Sequence, residues 1–83
     1  MKLFTIKDMK ADYYHQPQFY RTSAEAIRAC KNAVISKQGQ TPFNMNPEDF
    51  ALFEIGEWDE LAGNVTVKDK KHVQDLIDLK DVD

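Results

Sequence analysis

The chain has 83 residues, 42% hydrophobic and 30% charged, which predicts one compact domain and excludes two of ordinary size. Its formal charge of −3 excludes the strongly basic character of a general nucleic-acid coat protein. A single cysteine, Cys30, excludes an intrachain disulfide and points to a reducing compartment.

The first residues form a strand. Lys2 to Lys7 is rich in β-branched and aromatic side chains, with Phe4 and Ile6 on one face and Leu3 and Thr5 on the other. Asp12 to Pro17 reads as a polar, aromatic-rich turn, and Gln18 to Thr22 as a short second strand. Thr22, followed three residues later by Glu25, is a capping box that opens a helix over 23–36. Ile27, Cys30 and Val34 set the helix's apolar stripe, widened by Ala26 and Ala33, and Arg28, Lys31 and Asn32 fall on its outer face. Cys30, inside that stripe, is expected to act as a small buried hydrophobe.

Lys37 to Pro47 is a linker rich in Gln, Asn, Gly and Pro, with Phe43 and Met45 embedded in it. Phe50 to Trp58 is the most strand-like segment; Phe53 and Ile55 point away from Phe50, Leu52 and Trp58, and Gly56 suggests a bulge or a close backbone approach. Asp59 to Asn64 is a hairpin loop into a short strand, Val65 to Lys68. Val73, Leu76 and Ile77 then fall at helical spacing behind Asp69, which predicts a short C-terminal helix in a charged tail, 69–83. The expected fold is α+β. A small, mostly antiparallel sheet in β-β-α-β-β order, residues 1–68, carries one main helix on a face.

The histidines His15 and His72 have no partner at metal-ligand spacing, and the glycines Gly39, Gly56 and Gly63 are isolated rather than gathered in a phosphate loop. No cofactor, metal site or catalytic motif is expected, so the protein is expected to work by binding. Tyr13, Tyr14, Phe19 and Tyr20 lie in sequence beside Lys7, Lys10 and Arg21, with Arg28 and Lys31 on the helix. Rings that stack on bases and cations that meet phosphates are what single-stranded nucleic acid needs. Residues 41–67 carry six acids and no base. Glu57, Trp58, Asp59 and Glu60, at the hairpin, are therefore candidates for contact with a protein partner. A domain of this length buries only about 60–65% of its unfolded surface, so pairing with a second copy is expected. Met1 to Met9 lacks the apolar core of a signal peptide, and no apolar run approaches the roughly 18 residues of a membrane span.

Three stretches carry a resemblance. Asn46-Pro-Glu-Asp-Phe-Ala-Leu-Phe-Glu-Ile-Gly-Glu-Trp-Asp59, closing at Gly63, resembles the "hPEDY-LFELGE-D—TG" block of the small nonstructural protein of gokushoviruses, Microviridae with single-stranded DNA genomes. Met1 to Asp8, with Lys10-Ala11, is similar to that family's "MKLFSVYD-KA" opening, and Ala24 to Cys30 is similar to its "GEALRAF" helix. Ala62 departs from the polar residue common before the glycine. The resemblance implies a counterpart of the microvirus DNA-synthesis protein, acting in the cytoplasm of a bacterial host. It would act on single-stranded DNA or on a viral or host replication protein.

Overall fold

A computed structural model of the chain describes residues 1–36 and 41–80. Five strands, all antiparallel, form one sheet: β1 (Lys2–Asp8), β2 (Tyr13–Tyr14), β3 (Gln18–Tyr20), β4 (Phe50–Asp59) and β5 (Asn64–Asp75). β1 carries β2 and β3 end to end along one edge and β4 along the other, and β4 in turn carries β5. The single long helix, α1 (Ser23–Ile35), and a four-residue helix, α2 (Pro42–Met45), complete the body with two 3₁₀ turns, Pro47–Asp49 and Leu76–Leu79. The expected α+β architecture is present.

α1 begins where the capping residues place it. The Thr22 hydroxyl oxygen accepts the Glu25 backbone N–H at 3.1 Å, satisfying one of the orphan donors of the first turn. Ala26, Cys30 and Val34 repeat every four residues and are buried against Phe4, Phe50, Leu52 and Leu76. At the other end, the Asn44 side-chain amide donates to the carbonyls of Val34 (2.9 Å) and Ser36 (2.6 Å), which ties α2 to the last turn of α1. Phe43 of α2 meets Phe50 edge-on at 4.8 Å and closes that end of the core. Of the linker, residues 37–40 lie outside the described residues.

Two hairpin loops share one construction. Asp8 Oδ1 accepts the N–H groups of Lys10 and Ala11, the Asp12 N–H donates to the Asp8 carbonyl, and Asp12 has φ +60°. Asp59 Oδ1 accepts from Leu61 and Ala62, the Gly63 N–H donates to the Asp59 carbonyl, and Gly63 has φ +70°. Each loop thus needs a carboxylate to gather its amides and a fifth residue that tolerates the left-handed region.

Three expectations are corrected. Tyr13 and Tyr14, read as part of a turn, form β2, paired with Asp8 and Lys7. The strand after the hairpin does not stop at Lys68 but runs to Asp75, so the expected boundary at 68 falls in mid-strand. The tail helix is only the 3₁₀ turn Leu76–Leu79, and residues 81–83 lie outside the described residues. Residues 65–75 pair with nearly the whole of β4, and that ladder overrides a weak helical spacing. The turn then drops Leu76 into the core beneath α1, where it is fully buried. Gly56 sits where both neighbouring ladders shift register, and a β-carbon there would collide with the Thr66 carbonyl oxygen.

Leu76→Ala is expected to cost about 2–5 kcal/mol, because the side chain is enclosed and its site cannot collapse. Urea unfolding followed by circular dichroism measures this, and a loss under about 1 kcal/mol would contradict the docking of the turn. Burial pushes the Cys30 thiol up to about 11. Its alkylation at pH 8 is expected to be about 100-fold slower in the native protein than in urea. In the unfolded chain the thiol ionises from near pH 9, so stability from this group is complete below pH 9 and falls as pH rises towards about 11.

Candidate nucleic-acid interface

Because strand side chains alternate, the sheet has two distinct faces. Phe4 and Ile6 of β1, Tyr20 of β3, and Phe50 and Leu52 of β4 point to α1. The opposite face has no helix on it among the described residues. Cross-strand partners share a face, so the register assigns it: Lys7 opposite Tyr14, Leu3 opposite Phe19, Thr5 opposite Phe53, Phe53 opposite His72, and Trp58 opposite Val65.

The rings on this open face form two groups. Phe53 lies at the centre, edge-on to Tyr14 at 6.2 Å and to His72 at 5.5 Å. Tyr14 is 40% exposed, and the ammonium groups of Lys7 and Lys70 approach its ring centroid to 5.2 and 5.4 Å. Asp12, 3.3 Å from Lys7, and then Tyr14 hold the Lys7 ammonium above its ordinary pKa, so it is cationic throughout the physiological range. Towards the hairpin end, Phe19 meets Trp58 at 6.4 Å, and with Met1 and Val65 these line an apolar hollow. Partly exposed rings next to lysine ammoniums can stack on bases and meet a phosphate backbone.

The sequence candidates are divided between the two sides of the sheet. Lys7 and Tyr14 are together on the open face. Tyr13 is on the helix side, its ring tilted against His15 at 5.1 Å. Lys10 sits in the β1–β2 loop, Arg21 lies exposed just before α1, and Arg28 and Lys31 are exposed along α1, across the sheet from Tyr14. Phe53, Lys70 and His72 are not among the sequence candidates for nucleic-acid contact. The alternation sets Phe53 opposite Leu52 but does not show that its face is open; the other two depend on β5 continuing past Lys68.

The hairpin candidates have local employment. Glu57 pairs with Lys68 at 3.1 Å, Asp59 gathers the amides of its loop, and Trp58, expected on the face of Phe50 and Leu52, belongs instead to the open face, because the register shift at Gly56 reverses the alternation. Glu60 is exposed beside the hollow. Among the described residues no three His, Cys, Asp or Glu side chains converge as a metal site, and no helix is long and apolar enough to cross a membrane.

The arrangement is that of a small α+β protein with one helix-covered sheet face and one open aromatic face. The chain belongs to the phage ORF5 protein family, whose model matches residues 1–79, and it is therefore a phage protein. That agrees with the resemblance to a small phage nonstructural protein. Comparison with curated proteins and with solved structures returned no match.

Proposed function

We propose that this is a nonstructural phage protein that binds single-stranded DNA on the open face of its sheet, in genome replication or packaging within the bacterial cytoplasm. It acts by binding and not by catalysis. The observation that carries the reading is the Tyr14 ring, exposed beside two lysine ammoniums and continuous with Phe53 and His72. The phage family supports a viral setting, and the gokushovirus resemblance a single-stranded DNA genome.

An equilibrium titration of a labelled oligonucleotide over a salt series tests this. Tyr14→Leu is expected to lose about 1–3 kcal/mol of affinity, the worth of one stacked base. Lys70→Gln is expected to lower the slope of log affinity against log salt by about 0.7–1. Arg28→Ala with Lys31→Ala, on the other side, is expected to leave both unchanged. Binding that is absent even at low salt, or that depends on Arg28 and Lys31 and not on Tyr14, would overturn the assignment of this face.

A second reading has its own support. Leu61 and Val67 stand 101% and 82% exposed at the hairpin, and exposed aliphatic side chains there suit a protein partner, a viral or host replication protein or a second copy. Asp59 is a poor probe of that idea, since changing it also dismantles the loop. Leu61→Asp keeps the loop's backbone hydrogen bonds. Under this reading it abolishes capture of the partner, or converts an oligomer to monomer by light scattering, while DNA binding persists; no change in either assay removes the reading's support.

A further inference from the structure

The two ends of the open face differ in charge. Lys7 and Lys70 stand at the Tyr14 end. At the hairpin end, residues 57–68 carry three acids, Glu57, Asp59 and Glu60, against one base, Lys68. That base is engaged with Glu57 at 3.1 Å, and Lys2 of β1 is engaged with Glu54 at 3.8 Å. Glu60 is exposed and in no ion pair among the described residues.

The apolar hollow at this end has a volume of about 460 Å³. Met1, Phe19, Trp58 and Val65 wall it, and Glu60 is the only lining residue with a charged side chain. All five are exposed, so an incoming group reaches every wall. The Phe19 and Trp58 rings stand at 67° to each other, their centroids 6.4 Å apart. Their backbone is fixed before any guest arrives. The Trp58 N–H donates to the Met1 carbonyl at 2.8 Å, and Phe19 is paired with Leu3 across the β1–β3 ladder. Two rings set steeply to each other beside one free carboxylate make a setting for a cation, because ring faces attract positive charge, tryptophan most strongly.

We propose that this hollow takes an arginine or lysine side chain from a basic segment of a protein partner. The methylene stem lies along Met1 and Val65, and the cationic head meets the rings and the Glu60 carboxylate. The inference rests on the reading of the hairpin end as a protein-contact surface, and it adds the chemistry of what is held there. Charge selects the occupant. A phosphate would meet a carboxylate and no lysine or arginine among the lining residues. A base within a DNA strand would bring its own phosphates towards the acids of the hairpin. An aliphatic side chain would fill the walls but gain nothing from Glu60. A long cationic side chain uses the walls, the rings and the carboxylate together.

The test follows the emission of Trp58, the one tryptophan of the chain, at low salt. The full chain is titrated with short glycine–serine peptides that carry arginine, lysine, leucine or glutamate at the same places. At least one of the arginine and lysine peptides is expected to shift the emission and to bind more tightly than the leucine peptide, and the glutamate peptide is expected not to bind. Phe19→Leu, which removes a ring and keeps the wall apolar, and Glu60→Gln, which removes only the charge, are each expected to weaken that binding about 2- to 5-fold. Tyr14→Leu is expected to leave it unchanged, which separates the hollow from the lysine-flanked end. If Phe19→Leu does not fold, Glu60→Gln alone decides. No shift with either basic peptide, equal binding of the leucine peptide, an affinity unchanged by either variant, or a shift abolished by Tyr14→Leu would overturn the proposal. So would a shift produced by a thymidine oligonucleotide and not by the peptides, which gives the hollow to a base, or one produced by raising the protein concentration alone, which gives it to a second copy. Leu61→Asp is read by capture of the natural partner, so the hairpin reading and the hollow can fail separately.

Discussion

One helix has to serve a five-stranded sheet. α1, with 13 residues, is about 20 Å long, and it can lie across only one face. Each strand nevertheless has two sets of side chains, and among the described residues no helix covers the set turned away from α1. In most small antiparallel sheets that outer set is polar. Here it contains Tyr14, Phe19, Phe53, Trp58 and Val65, and these large side chains stay partly exposed beside Lys7 and Lys70. The same limit explains why Leu76 matters: the C-terminal 3₁₀ turn supplies the apolar volume under α1 that the sheet alone does not provide.

The electrostatics follow from the same layout. In linear order the chain divides into a basic first half and an acidic stretch at 41–67, but in space much of the acidity is already committed. Glu54 lies 3.8 Å from Lys2, Glu57 is paired with Lys68, and Asp59 is turned inwards on its own loop. The exposed pair of Glu57 with Lys68 adds little stability. Of the two ammoniums around Tyr14, Lys7 is likewise paired, with Asp12, whereas Lys70 is in no ion pair among the described residues, within a protein whose net charge is negative.

The elements that were legible in the sequence are those whose cause is local. Thr22 and Glu25 fixed the start of α1, its stripe chose Cys30 and Val34 for the core, and Gly56 announced a close backbone approach that the Thr66 carbonyl accounts for. The misread elements depend on distant partners. Tyr13-Tyr14 is too short to have a period and is a strand only because β1 offers it an edge. Residues 69–75 satisfy helical and extended patterns about equally, and β4 decides between them. The candidate site suffered from the same cause. Tyr13 and Tyr14 are adjacent in sequence and therefore point to opposite faces, so a cluster of rings and bases along the chain became two separate environments. Lys70 and His72 reach the open face through a register with two irregularities, which no pattern of spacing could have specified. His15, which looks like an ordinary packing residue in sequence, proved to hold the one buried side-chain polar atom without a partner among the described residues.

The chain has a single tryptophan, and the fold has placed it on the open face against Phe19 rather than in the core. Trp58 is 38% exposed, so its indole senses both the neighbouring ring and whatever arrives from solvent. The protein thus carries one optical reporter, unlabelled, at the surface whose role is in question. Emission excited at the tryptophan band speaks for that surface alone, whereas tyrosine emission mixes the two sides, because Tyr14 shares the open face and Tyr13 and Tyr20 lie on the helix side. The open face can therefore be followed by itself in the unmodified chain.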